Sequence, residues 1–143
     1  MADLTVTASQ VIPGVDAVLA RGTAGGTITA GHPLYRDSTD GNRLKAARAN
    51  ADATSRCVGI ALEGASDGQP VIYQTDGHVT VGAGANPEDG ESYYVSDSAA
   101  GGIMPVGDFT TGDYVAFLGI ANADDQINLR ILATGRTRQS AVS

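Results

Sequence analysis

The chain reads as an all-β protein: a compact Gly-rich β-barrel or β-sandwich of short strands, with an extended N-terminal arm and at most one short helix. Three observations predict this. Short apolar runs recur along the chain, several with period two. Turn signals rich in Gly, Asp and Ser separate them at roughly eight to twelve residues, the spacing of sandwiches and barrels. Only one stretch has helical spacing, and its apolar face is weak. Glycine fills 19 of the 143 positions, about twice the ordinary share.

The N-terminal stretch comes first. Leu4, Val6 and Ala8 alternate with Thr and Ser until Pro13-Gly14 breaks the pattern, so residues 1–20 read as an extended arm, an edge strand or a segment reaching onto another subunit. The alternation implies that something ties it down. Gly22, Gly25 and Gly26 form a turn whose spacing matches neither phosphate-binding fingerprint. Leu34-Tyr35 begins a strand, and Asp37 to Asn42 is a hairpin turn, with Asp40-Gly41 supplying the positive φ values. The same turn lacks the ligand spacing of a calcium loop. Asn42 to Arg56 is the one candidate for a helix, of one or two turns, or for an irregular loop.

Cys57 to Leu62 reads as a buried strand. Gln69 to Thr75 and His78 to Val81 read as a hairpin closed by Thr75-Asp76-Gly77, and residues 82–91 as a long acidic loop. Ser92 to Ser96, Ile103 to Val106 (an edge, because of Pro105), Tyr114 to Ala121 and Ile127 to Leu132 complete the strands. Thr134 to Ser143 has no periodicity and reads as a flexible or partner-bound tail. The domain division is therefore an arm over 1–20, one β domain over 21–133 and a tail over 134–143.

Residues 30–62 and 89–122 share a frame. Gly31 and Gly90 open them, a Tyr-containing pair comes next, and Gly59-Ile60-Ala61 and Gly119-Ile120-Ala121 close them. An internal duplication is one reading. The other is that Gly-rich β chains repeat their turn vocabulary.

The core has to come from Val, Ile, Leu and Ala, since the chain has no Trp, five Tyr and two Phe. Such a core is thin unless subunits share it, which points to an oligomer. The net charge is −7. Six of the nine basic residues (Arg21, Arg36, Arg43, Lys45, Arg48 and Arg56) precede Cys57, and no Lys or Arg occurs from there to Leu129. That segregation suits docking on a patterned protein surface. The acidic balance disfavours nucleic acid. No apolar run reaches the length of a membrane span, and no N-terminal apolar run has signal-peptide length, so synthesis in the cytoplasm and no membrane partner are expected.

Catalysis requires converging titratable groups. A Cys57–His78 dyad or a Ser66-Asp67/His78 triad has no supporting local context, and no Cys/His cluster has zinc spacing. Glu88, Asp89 and Glu91 read as a solvated turn rather than an ion site. The expectation is a non-enzymatic protein without cofactor or metal.

The stretch GHPLYRDSTDGNRLKAARANADATSRCVGIALEGASDGQPVIYQTDGHVTVGAG resembles the small capsid decoration, or cement, proteins of tailed bacteriophages, and GESYYVSDSAAGGIMPVGDFTTGDYVAFLGIA is similar to that family's continuation. The match runs from about Ile28 to Ile131 and lies in the order of Gly/Ala phrases rather than in any one motif. The resemblance implies a β-rich structural virion protein, often a homotrimer. It would bind the major capsid protein on the outer surface of the icosahedral head and brace the shell against DNA pressure. It also implies that the N-terminal segment takes part in shell contacts. Leu4, Val6, Val11 and Ile12, with Arg21, Arg43, Lys45 and Arg48, are then the expected capsid or subunit contacts. Two alternatives stay open: another virion β module, such as a head-fibre base or tail-associated protein, and a carbohydrate-binding β-sandwich, against which the lack of Trp argues.

Overall fold

A computed structural model describes residues 4, 6–81, 87, 89–123 and 126–137. Ten strands form one antiparallel sheet: β1 (Ile12–Pro13), β2 (Val18–Thr23), β3 (Pro33–Asp37), β4 (Arg43–Ala46), β5 (Cys57–Ala61), β6 (Pro70–Thr80), β7 (Ser92–Val95), β8 (Ile103–Pro105), β9 (Tyr114–Ala123) and β10 (Gln126–Thr137). The order is β4-β3-β5-β6-β10-β9-β7-β8, with β1 and β2 both pairing β6. Ala24, just past β2, bridges Leu44 of β4, so one end of the sheet curls back on itself. The predicted all-β class is what the chain adopts.

Two apolar clusters result from the curl. The smaller holds Leu34, Leu44, Val71 and Tyr73 with Ala24 and Ile28. The larger holds Ile60, Tyr93, Ile103, Leu118, Ile127 and Leu129, among others. Both rest on aliphatic side chains and small Ala, as the composition dictates.

The two stretches with a common frame fold alike. β3, β4 and β5 pair in the order β4-β3-β5, and β7, β8 and β9 in the order β8-β7-β9. Leu34 faces Gly59 and Tyr93 faces Gly119, and one step later each pairing slips by a residue, to Tyr35–Cys57 and Tyr94–Phe117. The opening glycines also match: Gly31 N–H donates to the Ala61 carbonyl at 2.8 Å, and Gly90 N–H to the Ala121 carbonyl at 2.6 Å.

Four expectations change. Gly77 does not close a hairpin. It sits inside the unbroken strand β6 at φ +88°, paired in regular register with Leu129 of β10, and its missing Cβ lets the backbone of Asp16 lie against it. Asn42 to Arg56 is strand β4 followed by a single helical turn, Asp52–Ser55. Pairing with β3 supplies Arg43–Ala46 with backbone partners that a weak helical face cannot replace. The arm ends before β1, because β1 and β2 both belong to the sheet, and Ala8–Gln10 is a 3₁₀ turn rather than extended chain. Finally, β10 runs to Thr137, so the tail begins later than Thr134, and residues 138–143 lie outside those described.

Candidate functional site

Several exposed apolar side chains gather on one side of the sheet. In antiparallel pairs, directly opposed residues share a face, which allows three rungs to be read across β1, β2, β6, β10 and β9. Ile12 faces Thr80, which faces Gln126. His78 faces Asn128, which faces Ile120, which faces Ser92 of β7. Val18 faces Asp76, which faces Arg130. Ile12, Val18 and Ile120 are all exposed, Leu132 lies two residues beyond Arg130 at 61% exposure, and Val15 at the loop tip is fully exposed. An Arg130–Asp76 ion pair sits among them. Apolar contacts interleaved with fixed polar groups are the usual make-up of a protein contact surface.

A cleft of about 520 Å³ opens on this face beside Asp16, His78, Thr80, Asn122 and Gln126. Asp16 is its organiser. One carboxylate oxygen accepts the His78 backbone N–H at 2.9 Å, and the other meets His78 Nδ1 at 2.7 Å. The backbone hydrogen bond from His78, and after it the ring contact, holds the Asp16 carboxyl below its ordinary pKa. Gly14 N–H completes the clamp by donating to the His78 carbonyl at 2.8 Å. The arrangement anchors the Gly14–Ala17 loop to β6. On the same strand, buried Gln74 donates through Nε2 to the carbonyls of Asp76 (3.0 Å) and His78 (2.7 Å). Sequence reasoning missed Asp16, His78 and Gln74 as a unit. Asp16 and His78 are 62 positions apart, and only the glycine in Asp76-Gly77 hinted at an irregular strand.

The expected contact residues are dispersed. Leu4 and Val6 are half-buried against the larger cluster and Val11 is buried within it, whereas Ile12 is exposed. Arg21 is exposed on β2. The basic stretch does not form a separate positive surface. Lys45 lies between Asp37 (2.7 Å) and Asp40 (3.2 Å), Arg43 pairs with Asp67 at 3.1 Å, and Arg56 with Asp52 at 2.7 Å. Arg48 donates to the Asp97 carbonyl at 2.8 Å, and Arg36 reaches the Tyr73 hydroxyl at 2.5 Å. Asp37, Asp40 and Asp52 lie within the basic stretch itself, and Asp67 joins it from the acidic span.

The candidate catalytic sets do not assemble. Cys57 is buried in β5, its thiol directed at the Gly59 carbonyl, and burial pushes its pKa up to about 12. His78 is engaged by Asp16, and Asp67 by Arg43. Among the described residues no group of three or more His, Cys, Asp or Glu is placed to hold a metal, and Glu88 of the acidic loop lies outside them. Among the same residues no helix is long and apolar enough to cross a membrane.

No family model and no curated protein matches the chain.

Proposed function

We propose that the protein is a non-enzymatic structural component of a phage virion that binds the outer surface of the icosahedral head and stabilises the shell. The observation that carries this reading is the outer face of β1, β2, β6, β10 and β9, where Ile12, Val18, Ile120 and Leu132 stand exposed around the Arg130–Asp76 pair. The order of Gly/Ala phrases shared with capsid decoration proteins supports it. So does the sheet behind that face, in which Cys57 and His78 are each engaged elsewhere, by the Gly59 carbonyl and by Asp16. The partner is the major capsid protein, with self-association as a homotrimer. Several weak contacts joined in one oligomer bind much more tightly than any single contact.

The face predicts its own test. Purified protein is mixed with undecorated heads of the phage that encodes it, and the heads are pelleted. Saturable co-sedimentation, with a rise in the melting temperature of the heads, is the expected result. Ile120→Asp, on an already exposed position, should lower occupancy without altering the far-ultraviolet spectrum. Protein that stays in the supernatant at every concentration overturns the reading. Binding to a glycan array instead would favour the carbohydrate alternative.

A further inference from the structure

His32 lines a second cleft, of about 300 Å³, beside Leu4 and Val6 of the N-terminal arm. Two hydrogen bonds tie it to Thr29. The His32 backbone N–H donates to the Thr29 carbonyl at 3.1 Å, which closes a turn. In return the Thr29 N–H donates to His32 Nδ1 at 3.4 Å. Nδ1 is the acceptor in that contact, so the ring is neutral and carries its proton on Nε2. The half-buried ring packs against Gly101, where a Cβ would come within 2.7 Å of the His32 Cγ.

The same turn is the seat of the arm. Gly31, inside it, takes φ +93°, and a Cβ there would come within 2.6 Å of Val6 Cγ1 and 3.3 Å of Val11 Cγ2. Gly31 N–H donates to the Ala61 carbonyl at 2.8 Å, and Leu4 N–H to the Ile103 carbonyl at 2.8 Å. Among the described residues, no charged side chain lines the cleft. The arm brings Leu4 and Val6, the turn Thr29, Ala30 and Gly31, and the β8 side Gly101 and Ile103. β5 reaches His32 through the Ala61 N–H, which donates to its carbonyl at 2.9 Å. Burial accordingly lowers the His32 pKa from its ordinary 6.5.

We propose that the Thr29–His32 turn is an acid-sensitive latch for the N-terminal arm of its own chain. A proton taken from solvent by His32 Nδ1 turns the acceptor into a donor facing the Thr29 N–H. Two donors cannot bond each other, and the new charge sits among apolar and neutral groups that do not compensate it. The turn loosens, and Val6 loses its seat on Gly31. The closed ring resists the proton more than the loosened one. The closed latch is therefore complete above the ordinary value of 6.5 and is lost as the pH falls below it. The inference concerns the free protein and does not rest on the virion reading.

The test is NMR on the full chain between about pH 7.5 and pH 5, the range in which histidine titrates. Three signals are followed: the His32 ring, the contact between the Val6 methyls and Gly31, and the protection of the Leu4 amide relative to unstructured chain at each pH. Protonation of His32 should lower Leu4 protection by about tenfold and weaken the Val6–Gly31 contact, with the Leu118 amide of β9 as the unmoved reference. His32→Asn keeps an acceptor in the place of Nδ1 and cannot take the proton, so it should hold the arm throughout the range. Leu4 protection that stays constant across the His32 titration overturns the latch. A fall shared equally by Leu118 overturns it too, since that is general unfolding, as does a fall that persists in His32→Asn. If the Asn variant does not fold, the comparison of Leu4 with Leu118 in the wild type decides.

Discussion

Gly59 and Gly119 occupy equivalent places in the two three-strand units, and each lies against the backbone of the next strand. Gly59 stands opposite Leu34, and a Cβ added to it would come within 2.5 Å of the Gln74 carbonyl oxygen. Gly119 stands opposite Tyr93, and its added Cβ would strike the Asn128 carbonyl closer still. Ile60 pairs with Gln74 as Ile120 pairs with Asn128. In both units the glycine is what lets the closing strand approach its neighbour at the register slip.

Gly59→Ala and Gly119→Ala are therefore both expected to destabilise the fold, by about 1–3 kcal/mol each, the ordinary cost of overpacking. The obstacle is strand backbone, which cannot turn aside as a side chain can. Urea unfolding measures it. A midpoint unchanged in both variants would mean that the close approach is not a constraint.

Gln74→Leu is expected to cost about 1–3 kcal/mol, because the carbonyls of Asp76 and His78 lose the amide that bridges them. The same substitution should speed amide hydrogen exchange around Gly77 more than in β9. Uniform loss of protection across both strands would argue against a local bridging role.

The Asp37–Lys45 pair predicts an acid limb. The Lys45 hydrogen bond, and after it those from Thr39, draws the Asp37 pKa from 3.8 down to about 2. A depressed carboxyl stabilises the folded state above its unfolded value and loses that contribution as the pH falls. The loss should fall between about pH 4 and pH 2. Lys45→Met should flatten the stability profile in that window when thermal unfolding is followed against pH. Parallel profiles for both proteins would assign the acid limb to other groups.

Cys57 predicts an alkaline limb and a silent thiol. Burial raises its pKa from 9.0 to about 12. Stability from the neutral thiol is complete below pH 9 and declines as the pH rises toward 12, where the unfolded chain ionises first. At about pH 8 the folded protein should resist a disulfide reagent that labels the urea-unfolded chain at once. Prompt labelling of the native protein would place Cys57 nearer the surface than β5 puts it.

Much of the strand layout was legible because it is local. Asp40-Gly41 marks the β3–β4 hairpin, Pro105 marks the β8 edge, and the apolar run after Arg56 marks β5. The face around Asp16 and His78 was not legible, since neither residue carries a local signal for the other. β2 was missed as well: Val18–Thr23 has no clean alternation, and its strand character comes from pairing with β6. The basic stretch misled for a different reason: Asp37, Asp40 and Asp52 within it pair with Lys45 and Arg56, while Asp67, the partner of Arg43, lies beyond Cys57.

The sequence by itself determined the all-β class, the main hairpin turns and the common frame of 30–62 and 89–122. These rest on turn chemistry and side-chain alternation, which act over a few residues. Only the tertiary structure decided that Gly77 continues a strand instead of ending it, that Asp16 clamps His78, and that Leu4 and Val6 fold back onto Gly31 and Ile103. Those outcomes depend on which distant backbone fills the space beside a glycine, and that space exists only once the sheet has curled.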